Sequence, residues 1–564
     1  MKPLLVLIKM TFAVSLLVSC TSKTPILPIT PPTLTPTSKA QAIEEMIDPG
    51  EKVGDMVVMV GQDEKWIHIF EFCDPLNTGE CGEVPVINNL FLGYGFITDT
   101  SLQMKTNLEK SSWQLFIDGQ PVDLPAFGFI DLNLGRIYRF WNVMVDNVTP
   151  GKHTVQYLLD YEGNHYNMAW IFTTPLPATM EIPAGAESFT FAGSSEVFST
   201  LAEFDSLLKS TIASVEVESF WAKVIATGKM PLIFGDSMAV FLFRGQAESV
   251  YCRGDFTAQY VRQGTTDIWS FMKKLEPEAR LEYKIMVDSS DLRIDPLNPL
   301  SETGGLGSSS VVQMPEYRVS EYIQSRGNIP HGTMSDKFLI KSQVLNYFVN
   351  YQVYTPNGYD AMKDLPVVYV TDGQDYVNPK MGSMVNILDN LIADGKIKPI
   401  VVVFIDPRDP TVSSNRRERE LVPESLDTCL FCDFIVKELV PAVDTSYRTD
   451  PSPDARAILG FSLGGMFSAY MGRVYPDVFH LIGIQSPYIT REWIYDSYQQ
   501  SERLPLKVFL SHGSYDVGAG SLRLREILEA KDYRLLFIQI PEGHSYGNVR
   551  DTLDDFLVYY FGVQ

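Results

Sequence analysis

Basic residues are in short supply. In 564 residues, 46 lysines and arginines stand against 69 aspartates and glutamates, a net charge of −23. Binding a phosphate backbone needs clustered cations, so this balance argues against nucleic acid as a partner. The acidity reads instead as the solubility of an exported chain. Long apolar runs are missing too: beyond the first 20 residues no stretch is long and apolar enough to span a bilayer. Thiols are few, six in all. The pair Cys429 and Cys432 lies in a C-x-x-C without the strand-then-helix context of a redox site, and Cys252 is the only spare thiol for a zinc site. A local disulfide or two buried thiols is the expectation there, and no metal is implied. Cys73 and Cys81 flank a Pro/Asn/Gly turn in "FEFCDPLNTGECGEV" and are candidates to close a small loop by a disulfide.

What is present begins at the N-terminus. "MKPLLVLIKMTFAVSLLVSC" has an early lysine and a short apolar run broken by Lys9, the pattern of a signal peptide over residues 1–20. Its Leu-x-Ser-Cys ending resembles a bacterial lipobox, which would make Cys20 the lipidated residue. Residues 21–45 begin with the Thr/Pro-rich "TSKTPILPITPPTLTPTSKA", a composition that cannot bury a core and suits a tether. The expected location is therefore the outer side of a cell membrane, held by a lipid.

The length allows about three domains. Residues 46–180 alternate apolar and polar in short runs cut by Asp-Gly and Pro-Gly turns, the signature of a β-sandwich. Residues 181–215 have helical spacing and are expected to link to a second β-sandwich domain over 216–320. From 335 to 564 apolar strands such as "LPVVYV", "PIVVVFID", "ARAILG", "HLIGIQS" and "LKVFLSHGS" alternate with helical segments. That rhythm predicts an α/β domain with a mostly parallel sheet covered on both faces.

In such sheets ligands bind at the carboxyl ends of the strands. "AILGFSLGG" places Ser462 at one of them, inside a Gly-x-Ser-x-Gly turn between a strand and a helix. A serine nucleophile needs a base, and the base needs a carboxylate to orient it. The histidine count sharpens the test: the chain has seven, and only His480, His512 and His544 follow the serine. His480 opens a buried strand, and His512 lies where the acid loop should be. His544, in "FIQIPEGHSYG", follows the last apolar strand, and Asp516, in "SHGSYDVGAG", follows the strand before it. Ser462, Asp516 and His544 thus take the order and the post-strand positions of a hydrolytic triad. Glu542 is a rival acid, though it shares a loop with the histidine; Asp516 as a helix cap is the rival role. The oxyanion donors would be the backbone N–H of Leu463 and that of Gln374, in "VVYVTDGQDY".

The segment from about 343 onward resembles the esterase D family of α/β-hydrolases, in its enterochelin-esterase-like branch. The resemblance rests on "LPVVYVTDGQDY", "RRERELVPE", "ELVPAVDTSYRTDP", "AILGFSLGGMFSAYMGRVYPDVF" and "IPEGHSYGNVR", which keep the family's order. Upstream, "ESFWAKVIATGKMPLI", "FLFRGQAE", "ARLEYKIMVD" and "RIDPLNP" look like the immunoglobulin-like N-terminal domain of those esterases. The resemblance implies Ser462 as nucleophile, Asp516 as acid, His544 as base, Leu463 and Gln374 at the oxyanion hole, and no cofactor. It brings Asp372 and Arg417 in as candidate substrate-binding residues; for Arg416, Arg417, Arg419 and Glu420 a cluster of ion pairs is the alternative. The family often has a tryptophan just after the histidine, where this chain has Ser545 and Tyr546. The expected activity is hydrolysis of a carboxylic ester of siderophore-like, feruloyl or acetylated-sugar type. Acyl transfer to a sugar or lipid alcohol, or ligand binding without turnover, are the rival functions.

Overall fold

The computed structural model describes residues 46–563, apart from 55, 61–66, 70–78, 84–89, 99–100, 134–136, 147, 149–150, 175–181, 194–197, 215, 289–290, 306, 411–414 and 517–519. Cys20, the signal peptide and the tether lie outside the described residues, as does Cys73. Cys81 is disulfide-bonded, and Cys429 is joined to Cys432. Among the described residues no helix is long and apolar enough to cross a membrane.

Residues 46–174 form three sheets of five, three and five strands, mostly antiparallel. Strands alternate as the sequence predicts. In Gly151–Tyr161, residues Val155, Tyr157 and Leu159 are buried, while the residues between them are more exposed. Val155 and Tyr157 meet the buried residues of Met56–Val60 and Val143–Asp146 in one apolar core, and Leu159 packs in a smaller cluster with Phe96 and Met104.

The predicted helical linker has a second role. Helices Leu201–Ser214 and Val217–Ala226 bury Phe204, Leu208, Phe220 and Val224 in the same cluster as Leu232, Val240 and Ile268 of the next sheet. They are therefore a layer of that β-unit as well as a connection to it. The unit itself carries a four-stranded and a six-stranded sheet between Leu232 and Gln313.

The C-terminal region holds a nine-stranded sheet. Three strands at one edge are antiparallel, ending with Phe348–Thr355 against Val401–Asp406. From there six run parallel, in the order Val401–Asp406, Val367–Val370, Arg456–Phe461, Leu481–Gln485, Lys507–Gly513, Arg534–Ile540. Parallel central strands are apolar on both faces because both are covered. Val367 and Tyr369 face one buried cluster with helix Leu463–Val474. Val368 and Val370 face the other, with helices Met384–Ala393 and Leu553–Phe561. The chain runs from Val367–Val370 outward to Val401–Asp406, then crosses back to Arg456–Phe461 on the other side. That reversal opens a crevice at the carboxyl ends of the strands.

Candidate active site

All six residues of the strand Arg456–Phe461 are buried, and the chain turns at Ser462 directly into helix Leu463–Val474. Ser462 has φ 60° and ψ −118°, a left-handed conformation that costs a non-glycine residue about 1–3 kcal/mol and persists only where its surroundings impose it. Here three backbone bonds do so. Ser462 N–H donates to Gln485 O at 3.1 Å, and its carbonyl accepts from Tyr488 at 2.9 Å and Met466 at 3.1 Å. Two glycines of the motif are needed for closeness. A Cβ on Gly460 would lie 2.3 Å from the carbonyl oxygen of Gly464, and one on Gly464 would lie 2.5 Å from Thr371 Oγ1.

His544 follows the strand Arg534–Ile540 and precedes helix Tyr546–Asp551, which Ser545 caps by accepting from Asn548 N–H. Its Nε2 is 2.8 Å from Ser462 Oγ, and its Nδ1 is 2.9 Å from Asp516 Oδ2. Serine, histidine and aspartate, 82 and 28 residues apart, are thus linked by two hydrogen bonds. Asp516 is almost fully buried and His544 about one-third exposed, so the relay opens to solvent only at the histidine and serine. The imidazole also lies against the ring of Phe461, with centroids 4.6 Å apart.

The rival residues are paired elsewhere or buried. Glu542 is buried and paired with Arg280 Nη1 at 3.3 Å. His480 pairs with Asp454 at 2.7 Å. His512 is buried, and desolvation holds its pKa below the usual imidazole value. Asp516 turns its carboxylate to His544.

Gln374 is the second residue of helix Gly373–Val377, and Leu463 is the first of its own helix. First-turn N–H groups have no intrahelical partner, so both are available donors. Val370 is in register with Leu459 on the adjacent parallel strand, which brings the two helix starts to the same end of the sheet. The Gln374 Oε1 is buried with no partner among the described residues.

Asp372 and Arg417 pair with each other. Arg417 Nε donates to both carboxylate oxygens of Asp372, at 2.9 and 2.8 Å, and Nη2 donates to Phe461 O at 3.3 Å. Burial opposes the Arg417 charge, but the Asp372 carboxylate more than offsets it and leaves the arginine pKa raised. Asp372 is wholly buried, so its charge meets the arginine and not a ligand. The pair braces Phe461, the residue before Ser462. Arg416 pairs with Asp409, and both Arg416 and Arg419 lie over the ring of Tyr347, at 4.1 and 4.8 Å. The ion-pair alternative describes this cluster.

The contacts of Tyr546 have no signal in the motifs. Tyr546, two residues after the histidine, is buried and donates to Asp375 Oδ2 at 3.1 Å. Its ring also lies 5.2 Å from that of Phe461, so it supports the surface on which the histidine rests.

Residues 342–512 match the family described as "Putative esterase". This segment is similar to that esterase family. The resemblance read from the sequence is borne out there, and the α/β-hydrolase-like sheet agrees with it. A Bacillus subtilis protein, YjcH, described as uncharacterized, is 27% identical over 172 residues, 30% of this chain and 68% of that protein. An endo-1,4-beta-xylanase/feruloyl esterase of Xylanibacter ruminicola is 29% identical over 170 residues, 29% of this chain and 22% of that protein. The enterobactin esterase FES from Shigella flexneri, solved in the presence of enterobactin, superposes with a TM-score of 0.48 at 22% identity, over 58% of this chain and 94% of that one.

Proposed function

We infer that the chain is an exported, lipid-anchored serine esterase that hydrolyses a carboxylic ester through an acyl-enzyme. One observation carries the reading: the unbroken relay from Ser462 Oγ through His544 to Asp516, with contacts of 2.8 and 2.9 Å. His544 Nε2 takes the serine proton as Oγ attacks the ester carbonyl. The N–H groups of Leu463 and Gln374 receive the tetrahedral oxyanion, the interaction that usually contributes most to the rate. Collapse expels the alcohol, which His544 protonates. Water then attacks the acyl-serine with the same histidine as base, and Ser462 is regenerated. The relative named for feruloyl esters supports an aromatic acyl group; siderophore-like and acetylated-sugar esters are the other substrates to screen. The lipid anchor rests on the sequence around Cys20, and radiolabelled palmitate incorporation lost in Cys20→Ala is its test.

The esterase test compares hydrolysis of p-nitrophenyl acetate and butyrate by the wild type and Ser462→Ala. The expected result is a loss of at least about a thousandfold in kcat, as for removal of a triad nucleophile. Equal rates would reduce Ser462 to a turn residue.

A further inference from the structure

The loop that carries His544 is held from outside the hydrolase domain. Arg280 opens the strand Arg280–Val287 of the upstream β-unit and is only 3% exposed on its side chain. It forms a parallel β-bridge with Glu542, and its N–H donates to Pro541 O at 3.2 Å. Its guanidinium donates to Glu542 Oε2 at 3.3 Å and to Glu302 Oε2 at 2.6 Å. Arg550 reaches the same Glu302 oxygen at 3.0 Å. Glu302 therefore joins cations from both sides of the junction.

The glycines flanking the histidine show how tightly the two parts meet. A Cβ on Gly543 would lie 1.9 Å from Asp255 Cγ, and one on Gly547 would lie 1.9 Å from Arg280 Nη1. Asp255 is itself fixed by accepting from Glu282 N–H at 2.7 Å. The acid loop is tethered to the same unit. Tyr515, next to Asp516, packs against the apolar core of the upstream unit, and its hydroxyl accepts from Glu276 N–H at 3.4 Å. Its own N–H donates to Glu542 O at 3.1 Å. The serine, by contrast, is held by its own sheet.

We propose that the β-unit of residues 232–313 is a positioning element of the esterase site, with Arg280 and Asp255 fixing the loop of His544 and the Tyr515 anchorage fixing that of Asp516. The inference rests on the serine-esterase reading. It makes the upstream unit a determinant of turnover and not only of substrate capture. Arg280 and Asp255 are positioning residues: they act through Glu542 and Gly543, not on the reacting atoms.

The test uses the full chain as wild type, Arg280→Ala, Arg280→Lys, Gly543→Ala, and Gly543→Ala combined with Asp255→Gly. Three quantities are measured: kcat and KM for the small ester p-nitrophenyl acetate, and the rate at which an uncharged fluorophosphonate labels Ser462. Circular dichroism checks folding. Displacing a catalytic base by about an ångström costs on the order of a hundredfold, so Arg280→Ala and Gly543→Ala are expected to lower kcat about ten- to a hundredfold. KM should stay near wild type, and labelling should slow by the same factor as kcat. Lysine keeps the charge but offers one nitrogen where Arg280 uses Nη1 for Glu542 and Nη2 for Glu302, so Arg280→Lys should recover part of the loss. Asp255→Gly removes the atoms that the new methyl group meets, so the double variant should regain part of the Gly543→Ala loss but stay below wild type, because the Asp255 support of the loop is gone. If Arg280→Ala fails to fold, the Gly543 and Asp255 pair decides alone. Wild-type kcat in the single variants, or a change confined to KM, overturns the proposal. A wild type that neither turns over nor labels at Ser462 overturns the esterase reading, and this one with it; an active wild type matched by its variants overturns this one alone.

Discussion

A carboxylate can only accept hydrogen bonds, so Asp516, 2.9 Å from His544 Nδ1, fixes the proton of the neutral imidazole on that nitrogen. Nε2 then faces Ser462 as an acceptor, the form a general base requires. Asp516→Asn keeps the shape and reverses this logic: its amide would donate to Nδ1 and drive the proton to Nε2. The expected outcome is a fall in kcat of about 10⁴-fold with little change in thermal midpoint, read from ester hydrolysis and a melting curve together. Ser462 illustrates the other residue-scale lesson. Its left-handed backbone is strained, but the bonds to Gln485, Tyr488 and Met466 confine that strain to the one residue that must stand out from the sheet.

At the scale of elements, the elbow and the short helix Arg417–Leu421 act together. Gly460→Ala would push a methyl group to 2.3 Å from a backbone oxygen that cannot swing aside. Overpacking typically costs about 1–3 kcal/mol, and here it also moves Ser462. The variant should show a lower denaturation midpoint in urea and lower activity per folded molecule. The helix braces the elbow through Arg417 and buries Glu420, which accepts from the Tyr347 hydroxyl at 3.0 Å. Burial pushes the Glu420 carboxyl up to about 8, against the pull of Tyr347, Arg416 and Arg419. An unfolded glutamate titrates near about 4.3. Between those values the folded chain binds more protons than the unfolded one, so this group makes stability fall as pH rises. Glu420→Gln removes that contribution. Melting at pH 5 and pH 8.5 should show a smaller drop for the variant than for the wild type, and equal drops would refute the assignment.

At the scale of the molecule, the chain carries a charge of −23, and two arginines beside the site are already neutralised. Arg417 is spent on Asp372 and Arg408 on Asp406. An anionic ester should therefore meet net repulsion, which salt screens over a Debye length of about 8 Å at physiological strength. The kcat/KM for p-nitrophenyl hemisuccinate is expected to rise between low and physiological salt, while that for the butyrate ester stays flat. A fall with salt would instead reveal an unpaired cationic subsite.

The sequence by itself determined the order of the C-terminal strands, the glycine-flanked turn at Ser462 and the loops that bear Asp516 and His544. These were legible because local signals carry them. A buried parallel strand is apolar throughout, a turn that doubles back needs small residues, and each candidate group falls just after a strand. Tertiary structure alone decided that Arg417 meets Asp372, that helices Leu201–Ser214 and Val217–Ala226 share a core with the sheet beyond them, and that Arg280 reaches Glu542 across 262 residues. Contacts of that separation leave no periodicity in the chain. Whether a buried charge faces a ligand or another charge depends on which surfaces the folded units press together.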